Sequence, residues 1–481
     1  MAVKLLGFAK QVVVAGVFGA NIDTDLFFLA ERFLNNINFI ISQVILAAFV
    51  PVYLEVKKQS DSEALQFTSD SVRFFSVFTA LVALLVVLFS SLIAGIIAPS
   101  YSAYLTERLS FYLRIFAPMT ILFMLQSVFH ALLNANKKFV PGQMTGLIQS
   151  VVIIGFSLVL GNTFGVKTLV FGFFVYSILN FFFLGFFSYK DKLFKLKDFH
   201  FSQHMKKLLF MVLPLLGGYM FTFVNQQVNK MIVSGMDPGS FSAMNYGFVL
   251  SNFVSSLIMA VCTVIYTEIS GKIVDGRRGE ASAVAIRTIS ILVSFFIPVT
   301  VISFLFSNEI AAIVFERGAF DRAATLKTSK ALAGYAFLFV PFVINSMLSQ
   351  LHYAYGNTKS PMINTVSGIL FNILFSFLLY RKLGLFGVTL ASSIGIFISS
   401  VLNIISACRM KYIDRFQSVT RLVPVWSLGL ATAVVTSCMC ARLFSEMSVF
   451  LRFGLISCVV MAASFGVTAP FVFKKFDQEA I

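Results

Sequence analysis

The sequence contains little charge. Only 12% of its 481 residues are charged, 58% are hydrophobic, and the mean hydropathy is +0.89. Soluble domains contain about 25% charged residues, and a soluble protein of this length could not bury so much apolar surface. The composition therefore excludes an ordinary soluble protein and predicts a polytopic membrane protein.

Tryptophan and cysteine are also scarce, with one tryptophan (Trp426) and five cysteines in the chain. Cys438 and Cys440 are close in sequence, but one intervening residue does not match the usual spacing of zinc ligands. We therefore expect buried thiols, no metal site and no bound cofactor. No nucleophile–base pair is visible and no loop is long enough to hold a soluble domain, so the sequence disfavours an enzyme and offers no catalytic residue.

Apolar runs that are long enough to cross a bilayer, about 20 residues each, occur about fourteen times. They predict an all-α polytopic membrane protein with spans at residues 3–20, 26–54, 73–98, 109–133, 142–161, 166–188, 208–233, 241–268, 284–306, 330–355, 361–380, 385–408, 422–441 and 451–473.

Basic residues are concentrated in the loops on one side of these spans. Lys57, Lys58, Lys137, Lys138 and the stretch 189–207 lie on that side, together with both termini. Because short cytoplasmic loops carry an excess of Lys and Arg, both termini are predicted to be cytoplasmic. The net charge of +16 is then explained by membrane topology, and a nucleic-acid partner is not expected.

Two motifs occur twice in the same order, roughly 213–221 residues or six spans apart. Tyr-x-Glu ends the second and eighth spans, and Asn-x-Lys followed by Pro joins the fourth span to the fifth and the tenth to the eleventh. The residues are Tyr53 and Glu55, Tyr266 and Glu268, Asn136, Lys138 and Pro141, and Asn357, Lys359 and Pro361.

An even number of spans per repeat keeps both halves in the same orientation, so the repeat predicts two parallel lobes of six helices. Residues 1–190 form the first lobe and 208–410 the second. A cytoplasmic linker, 191–207, joins them, and two additional helices lie within 411–481. In transporters of this kind the substrate lies near the interface of the two halves.

Polar residues form a stripe on the second span. Residues three or four apart share one face of a helix, which places Glu31, Asn35 and Asn38 together with Arg32 beside them. A charge at the bilayer centre costs about 2.5–3.5 kcal/mol, so the stripe should face the bundle interior or water. A polar contact between packed helices would be an alternative role for the amides.

Two other spans carry basic residues and amides. Lys4 and Lys10 lie on the first span, although Lys4 is close enough to its end to reach the interface. Asn225, Asn229 and Lys230 lie on the seventh span. Cations combined with amides favour an anionic ligand, and we predict that these residues bind it together with Arg32, Asn35 and Asn38.

Several motifs resemble a known family. The segments "GFAKQVVVAGVFGANIDTDLFFLAERF" and "AAFVPVYLE" resemble the start of the MurJ/MviN family of lipid II flippases, and "VFERGAFDRAATLKTSKALAGYAFLFVP" with "HYAYGNTKSP" resembles a later motif of that family. The similarity runs along nearly the whole chain. It implies membership of the multidrug/oligosaccharidyl-lipid/polysaccharide (MOP) exporter superfamily and a V-shaped cavity between two lobes that opens to alternate sides.

The resemblance further implies a cargo of undecaprenyl-pyrophosphate carrying a sugar or peptide headgroup. Lys4 and Lys10 stand where the family has arginines, Asp25 matches an acidic position and Arg32 a basic one. The arginine pair that the family has further along the second span is missing from "NNINFIISQ", and Val249 or a neighbour replaces a cation in the eighth.

These departures leave another polyprenyl-linked oligosaccharide open as the cargo, because lysine cannot bind phosphate with the two-pronged geometry of arginine. A rival on the same fold is a MATE-like antiporter of cationic drugs, which would need acids rather than cations facing its cavity. The family expectation for energy is the membrane potential, Na⁺ or H⁺, with Asp25, Glu31 and Glu268 as candidate coupling groups. We expect a monomer in the bacterial inner membrane that meets cell-wall synthesis enzymes.

Overall fold

The computed structural model describes residues 2–195, 198–413, 423–444, 447 and 449–478. No strand occurs among these residues, and the all-α prediction is confirmed. The helices are α1 (Ala2–Phe18), α2 (Ile22–Gln59), α3 (Asp61–Leu88), α4 (Ser90–Ile97), α5 (Ala103–Phe116), α6 (Met119–Ala135), α7 (Phe139–Phe164), α8 (Lys167–Lys190), α9 (Gln203–Ser234), α10 (Ser240–Val274), α11 (Arg278–Leu305), α12 (Ser307–Phe315), α13 (Arg322–Ala336), α14 (Phe339–Ala354), α15 (Lys359–Arg409), α16 (Val423–Leu443) and α17 (Val449–Gln478).

Nine helices within the described residues are long and apolar enough to cross a membrane, or up to eleven if each of two bent pairs is one span. The chain is therefore a multi-pass membrane protein, while the number of about fourteen spans stays a prediction. Two predicted spans, 361–380 and 385–408, lie within the 51 residues of α15. The kink between them is at Gly384, whose φ of 56° is readily adopted by glycine.

Two predicted spans are broken near their middle. Residues 109–133 correspond to α5 and α6, which are bent by 40°, and 330–355 correspond to α13 and α14, bent by 45°. Pro118 lies in the first break, where its missing N–H and its ring interrupt the helix. Pro341 stands in the first turn of α14, where N–H groups have no partner within the helix in any case.

The chain divides into two compact units by contact. Unit 1 comprises Met1–Ser242 with Arg317–Phe320, and unit 2 comprises Ala243–Glu316 with Asp321–Ile481. Helix α9 belongs to unit 1, where it packs on α2 through Phe33 and Phe223, whose ring centroids are 5.8 Å apart. The repeat places this helix at the start of the second lobe, at residue 208. Division by contacts does not test the repeat, so the lobe boundaries stay a prediction.

Each unit has its own apolar core. In unit 1 the rings of Phe49 and Phe67 stack with centroids 5.3 Å apart between α2 and α3, and α6 and α8 complete the cluster. In unit 2 the core includes Ile289 of α11 and Val343 and Met347 of α14. Because lipid is as apolar as these side chains, close packing rather than the hydrophobic effect holds the helices together.

A buried amide pair joins helices in each unit at corresponding positions. In unit 1, Asn180 donates to Gln126 Oε1 over 2.6 Å. In unit 2, Asn403 donates to Asn345 Oδ1 over 2.8 Å. The two pairs are about 220 residues apart, the offset expected of two like halves. This correspondence adds to the repeat that the sequence motifs indicate.

Candidate functional site

The start of α2 sets the phase of the polar stripe. Asn21 caps the helix by accepting the backbone N–H groups of Asp23 and Thr24 at 3.0 and 3.1 Å. In return, Asn21 N–H donates to Thr24 Oγ1 over 2.8 Å, which completes a capping box. With the first turn fixed, the helical repeat places Glu31, Asn35 and Asn38 on one face.

Glu31 is the centre of the polar group. Its side chain is buried within the bundle, with the residue only 9% exposed. Oε1 accepts a hydrogen bond from Asn35 Nδ2. Oε2 has no hydrogen-bond partner in the described residues and lies 3.5 Å from Arg32 Nε. The carboxylate is therefore held by one amide and one guanidinium, with acceptor capacity left over.

Two lysines from other helices lie near this carboxylate. Lys10 of α1 and Lys230 of α9 both lie within electrostatic range of Glu31 and Arg32. Lys230 is 4% exposed and donates to Gln227 Oε1 over 3.3 Å. Three helices of unit 1 thus bring three basic side chains around one carboxylate. We call Lys10, Glu31, Arg32 and Lys230 the cationic cluster.

Polar atoms without partners lie beside the cationic cluster in sequence. Within the part of the chain that the structure describes, Asn38 Oδ1, Asn36 Nδ2 and Gln11 Oε1 are buried and make no hydrogen bond. A buried polar group without a partner costs about 1–3 kcal/mol. These groups on α1 and α2 would be stabilised by a water molecule or a polar ligand group that enters the bundle.

The other predicted ligand-binding residues fall into two sets. Asn225 and Asn229 are partly buried on α9, within two turns of Lys230. Lys4 lies on α1 six residues before Lys10 and is exposed, so the structure does not place it in the cationic cluster. Gln11 and Gln227 were not among the predicted ligand-binding residues. Their positions could have indicated them, because Gln11 follows Lys10 directly and Gln227 lies one helical turn before Lys230.

Asp25 is held differently from Glu31. Its Oδ2 accepts the backbone N–H of Gly239 over 2.7 Å, and its Oδ1 accepts the N–H and Oγ–H of Ser242 over 2.7 and 2.6 Å. Gly239 and Ser242 flank the first residues of α10, where a carboxylate is stabilised by the helix dipole. Asp25 is 2% exposed and its oxygens are committed to this turn. Of the other two predicted coupling groups, Glu268 is exposed near the end of α10, and Glu31 lies in the cationic cluster.

Close backbone contacts surround the turn between α1 and α2. Ala319 N–H donates to the carbonyl of Gly16 over 2.8 Å, which explains why residues 317–320 belong to unit 1. Gly239 has a φ of 82°, and a Cβ there would lie 2.8 Å from the carbonyl carbon of Ala20. A glycine is therefore required at position 239 by both conformation and space.

Comparison with known proteins identifies the family. A family model described as "Lipid II flippase MurJ" matches residues 14–463. The chain belongs to this family. A probable lipid II flippase MurJ of Buchnera aphidicola subsp. Acyrthosiphon pisum is 25% identical over 429 residues, which cover 87% of this chain and 83% of the relative. The lipid II flippase MurJ of Burkholderia cenocepacia is 24% identical over 416 residues, 83% of this chain and 80% of that protein.

Solved structures show the same fold. A lipid II flippase MurJ in an inward closed conformation matches with a TM-score of 0.81 and 24% identity, covering 98% of this chain and 97% of that one. A MATE multidrug transporter of the MOP superfamily, in an inward-facing conformation, matches with a TM-score of 0.71 and 15% identity over 85% and 94% of the two chains. The MurJ family is therefore confirmed, and the fold is also that of a MATE transporter, while membership of the MOP superfamily stays a prediction. MurJ proteins are transporters rather than enzymes, and the chain is a multi-pass inner-membrane protein.

Proposed function

We propose that this chain moves lipid II from the cytoplasmic to the outer leaflet by alternating access, with both termini in the cytoplasm. The observation that carries the proposal is the cationic cluster, in which Arg32 lies 3.5 Å from Glu31 and both Lys10 and Lys230 lie within electrostatic range of it inside an apolar bundle. Three basic groups against one carboxylate leave the cluster with an excess of formal positive charge.

A diphosphate is the ligand chemistry that this charge suits. Charges interact far more strongly in a partly desolvated site than in bulk water, because the effective dielectric is lower. Arg32 supplies a planar guanidinium for two-pronged binding of a phosphate, while Lys10 and Lys230 act as point charges. The amides of Asn35, Asn38, Asn225 and Asn229 would bond to the sugar and peptide of the headgroup. Lys4, exposed on α1, would attract the headgroup from the cytoplasmic side.

Family membership supports lipid II over the other cargoes. The curated relatives carry the name lipid II flippase MurJ, whereas the likeness to MATE transporters is one of fold. A multidrug site for cations would need acids facing the ligand, and here the acid of the cluster is outnumbered by bases. No partner subunit is needed to complete the cluster, since unit 1 supplies all of it, and a monomer that exchanges lipid with cell-wall enzymes is sufficient.

Net direction requires an energy source, because a binding site alone shifts only the affinity between states. We propose that Glu31 is the coupling carboxylate for H⁺ or Na⁺, or senses the membrane potential through the same charges. Its Oε2 has no hydrogen-bond donor in the described residues, so a proton or cation could take that position. Neutralising Glu31 would strengthen the positive field on the diphosphate.

Complementation of a strain depleted of its own lipid II flippase tests the proposal. We expect Lys10→Ala and Arg32→Ala to abolish growth on depletion, because each removes a contact to the diphosphate. Lys167→Ala, at an exposed position at the start of α8, should grow like the wild type. Immunoblots of the membrane fraction establish equal amounts of each variant. Full rescue by both Lys10→Ala and Arg32→Ala would refute a role for the cluster in cargo binding.

A double variant separates binding from charge balance within the fold. Because Glu31 is also the proposed coupling group, binding of lipid II to the purified variants, rather than growth, is the readout. If Lys10 only neutralises Glu31, the Lys10→Ala, Glu31→Gln double variant should bind lipid II as well as Glu31→Gln alone. If Lys10 binds the cargo, the double variant should bind it more weakly than Glu31→Gln, and equal binding would contradict the proposed role of Lys10.

A further inference from the structure

A ligand-sized space on unit 1 is lined by none of the residues of the cationic cluster. It is a groove of about 1070 Å³ between α3, α6, α8 and the segment that follows α8. Pockets for small ligands have volumes of about 300–1,000 Å³, so the groove is large enough for a lipid chain. Its walls are apolar and rich in phenylalanine, and Arg73 is its one charged lining residue.

The phenylalanines support one another, so the groove is preformed. Phe129 of α6 packs against Phe181 of α8 and Phe194 of the following segment, with ring centroids 5.9 and 5.3 Å apart. Aromatic pairs at such separations stabilise one another by about 0.5–1.5 kcal/mol beyond area burial. Phe199 closes the groove from the other end of the same segment.

The segment after α8 is anchored to α3 by backbone contacts. His200 N–H donates to Asp70 Oδ1 over 2.9 Å, and Gln66 donates to the carbonyl of Asp198 over 2.5 Å. Both contacts lie one to two turns before Arg73 on α3. These contacts hold Phe199 over the groove. They also occupy Asp70, the acidic residue closest to Arg73 in sequence, with a hydrogen bond from His200.

Arg73 has no hydrogen bond or ion pair with any residue that the structure describes. Asp70, three residues earlier, accepts from His200 and Gln66 instead. Arg73 is the last charged residue of α3, since residues 74–88 are uncharged. A basic residue at the border between polar and apolar sequence lies at the depth of the lipid phosphates.

The length of the groove matches one leaflet. Its lining on α3 runs from Val72 to Leu81, about 14 Å along a helix that rises 1.5 Å per residue. Half of the hydrocarbon core of a bilayer is about 15 Å thick. A phospholipid acyl chain fits this depth, whereas a long polyprenyl chain would extend beyond it.

We propose that this groove binds an anionic glycerophospholipid, with one acyl chain among the phenylalanines and the phosphate on Arg73. The proposed orientation places Arg73 at the inner leaflet, whose anionic lipids attract basic residues near the surface. The site is separate from the cationic cluster and serves to hold a lipid of the surrounding bilayer rather than the cargo.

Native mass spectrometry of the delipidated full chain tests this directly. The protein is incubated with equal amounts of dioleoyl phosphatidylglycerol and dioleoyl phosphatidylcholine, which differ in net charge and share the same acyl chains. We expect the wild type to retain one phosphatidylglycerol about tenfold more often, which corresponds to 1.4 kcal/mol. Arg73→Ala should remove this preference, and Arg73→Lys should keep part of it.

Two further variants make the result specific. Lys58→Ala removes an exposed basic residue on the same unit and should leave the preference intact. Ser76→Phe fills the groove and should lower retention of both lipids, with helical circular dichroism showing that the fold is preserved. The proposal is overturned if the wild type retains both lipids equally, if Lys58→Ala acts like Arg73→Ala, or if Ser76→Phe retains both lipids as the wild type does.

Discussion

Replacing Asp25 by Asn should destabilise unit 1 strongly, although the change is nearly isosteric. The carboxylate accepts three hydrogen bonds, from Gly239 N, Ser242 N and Ser242 Oγ, at 2.6–2.7 Å. An asparagine can keep its oxygen toward Ser242, but its NH₂ group then faces the N–H of Gly239. Two buried donors would meet, and the charge that stabilises the remaining bonds would be lost.

The expected magnitude follows from the number of bonds. A hydrogen bond to a charged group contributes about 1.5–3 kcal/mol, and a buried donor without a partner costs about 1–3 kcal/mol. We therefore expect Asp25→Asn to lower the free energy of unfolding by about 2–4 kcal/mol. For a unit of this size the midpoint of thermal unfolding should fall by roughly 5–10 °C. Loss of helical circular dichroism in detergent measures the midpoint.

Asp23 provides a matched control on the same turn of α2. Its carboxylate pairs with Arg108 over 2.5 Å, but both side chains are partly exposed, at 47% and 33%. Exposed ion pairs contribute about 0–1 kcal/mol, so Asp23→Asn should shift the midpoint by no more than a few degrees. Equal shifts for the two variants would show that the bonds of Asp25 to residues 239–242 do not stabilise the fold as argued.

Two other substitutions test packing. Gly239→Ala should reduce the yield of folded protein far more than Gly276→Ala. Both glycines have a positive φ, 82° and 78°, but of the two only position 239 lacks space for a Cβ. Size-exclusion chromatography measures the yield, and equal yields would contradict this reasoning. Asn403→Ala should cost about 1–3 kcal/mol, because it removes two hydrogen bonds, to Asn345 and from Asn364, that contribute about 0.5–1.5 kcal/mol each. Asn162→Ala, at an exposed site, should leave the urea midpoint unchanged. Similar losses for the two variants would contradict the proposed role of the amide pair.

Much of the fold follows from the sequence because lipid imposes a simple rule. A segment that crosses hydrocarbon must satisfy its backbone internally, so long apolar runs become helices. The same reasoning placed Glu31, Arg32 and Asn35 on neighbouring faces of α2. The position of Lys10 and Lys230 within their spans also marks them as candidate site residues, because a cation far from the end of a span needs a polar environment.

The contacts that could not be predicted join residues distant in sequence. Asp25 bonds to Ser242 across 217 residues, and no local pattern in either segment indicates that pairing. The docking of Ala319 on Gly16 is equally non-local. Helix breaks were predictable only in part. Pro118 signals one of them, whereas the break between α3 and α4 occurs at Phe89, with no proline or glycine beside it. Ser90, the first residue of α4, accepts hydrogen bonds from Ser110 and Arg114 of α5, and no local pattern indicates these contacts.

The predicted repeat relates two members of the cationic cluster. Lys10 and Lys230 are 220 residues apart, which is within the 213–221 residues that separate the repeated motifs. Under that repeat the two lysines occupy corresponding positions and form a matched pair of ammonium groups for a ligand with two similar phosphates. Glu31 and Arg32 have no charged counterpart, since the equivalent residues on α10 are uncharged. Because Glu31 and Arg32 have no charged counterpart, the surroundings of the two lysines differ. The site would therefore distinguish the phosphate that bears the sugar from the phosphate that bears the prenyl chain, and the headgroup would bind in one orientation.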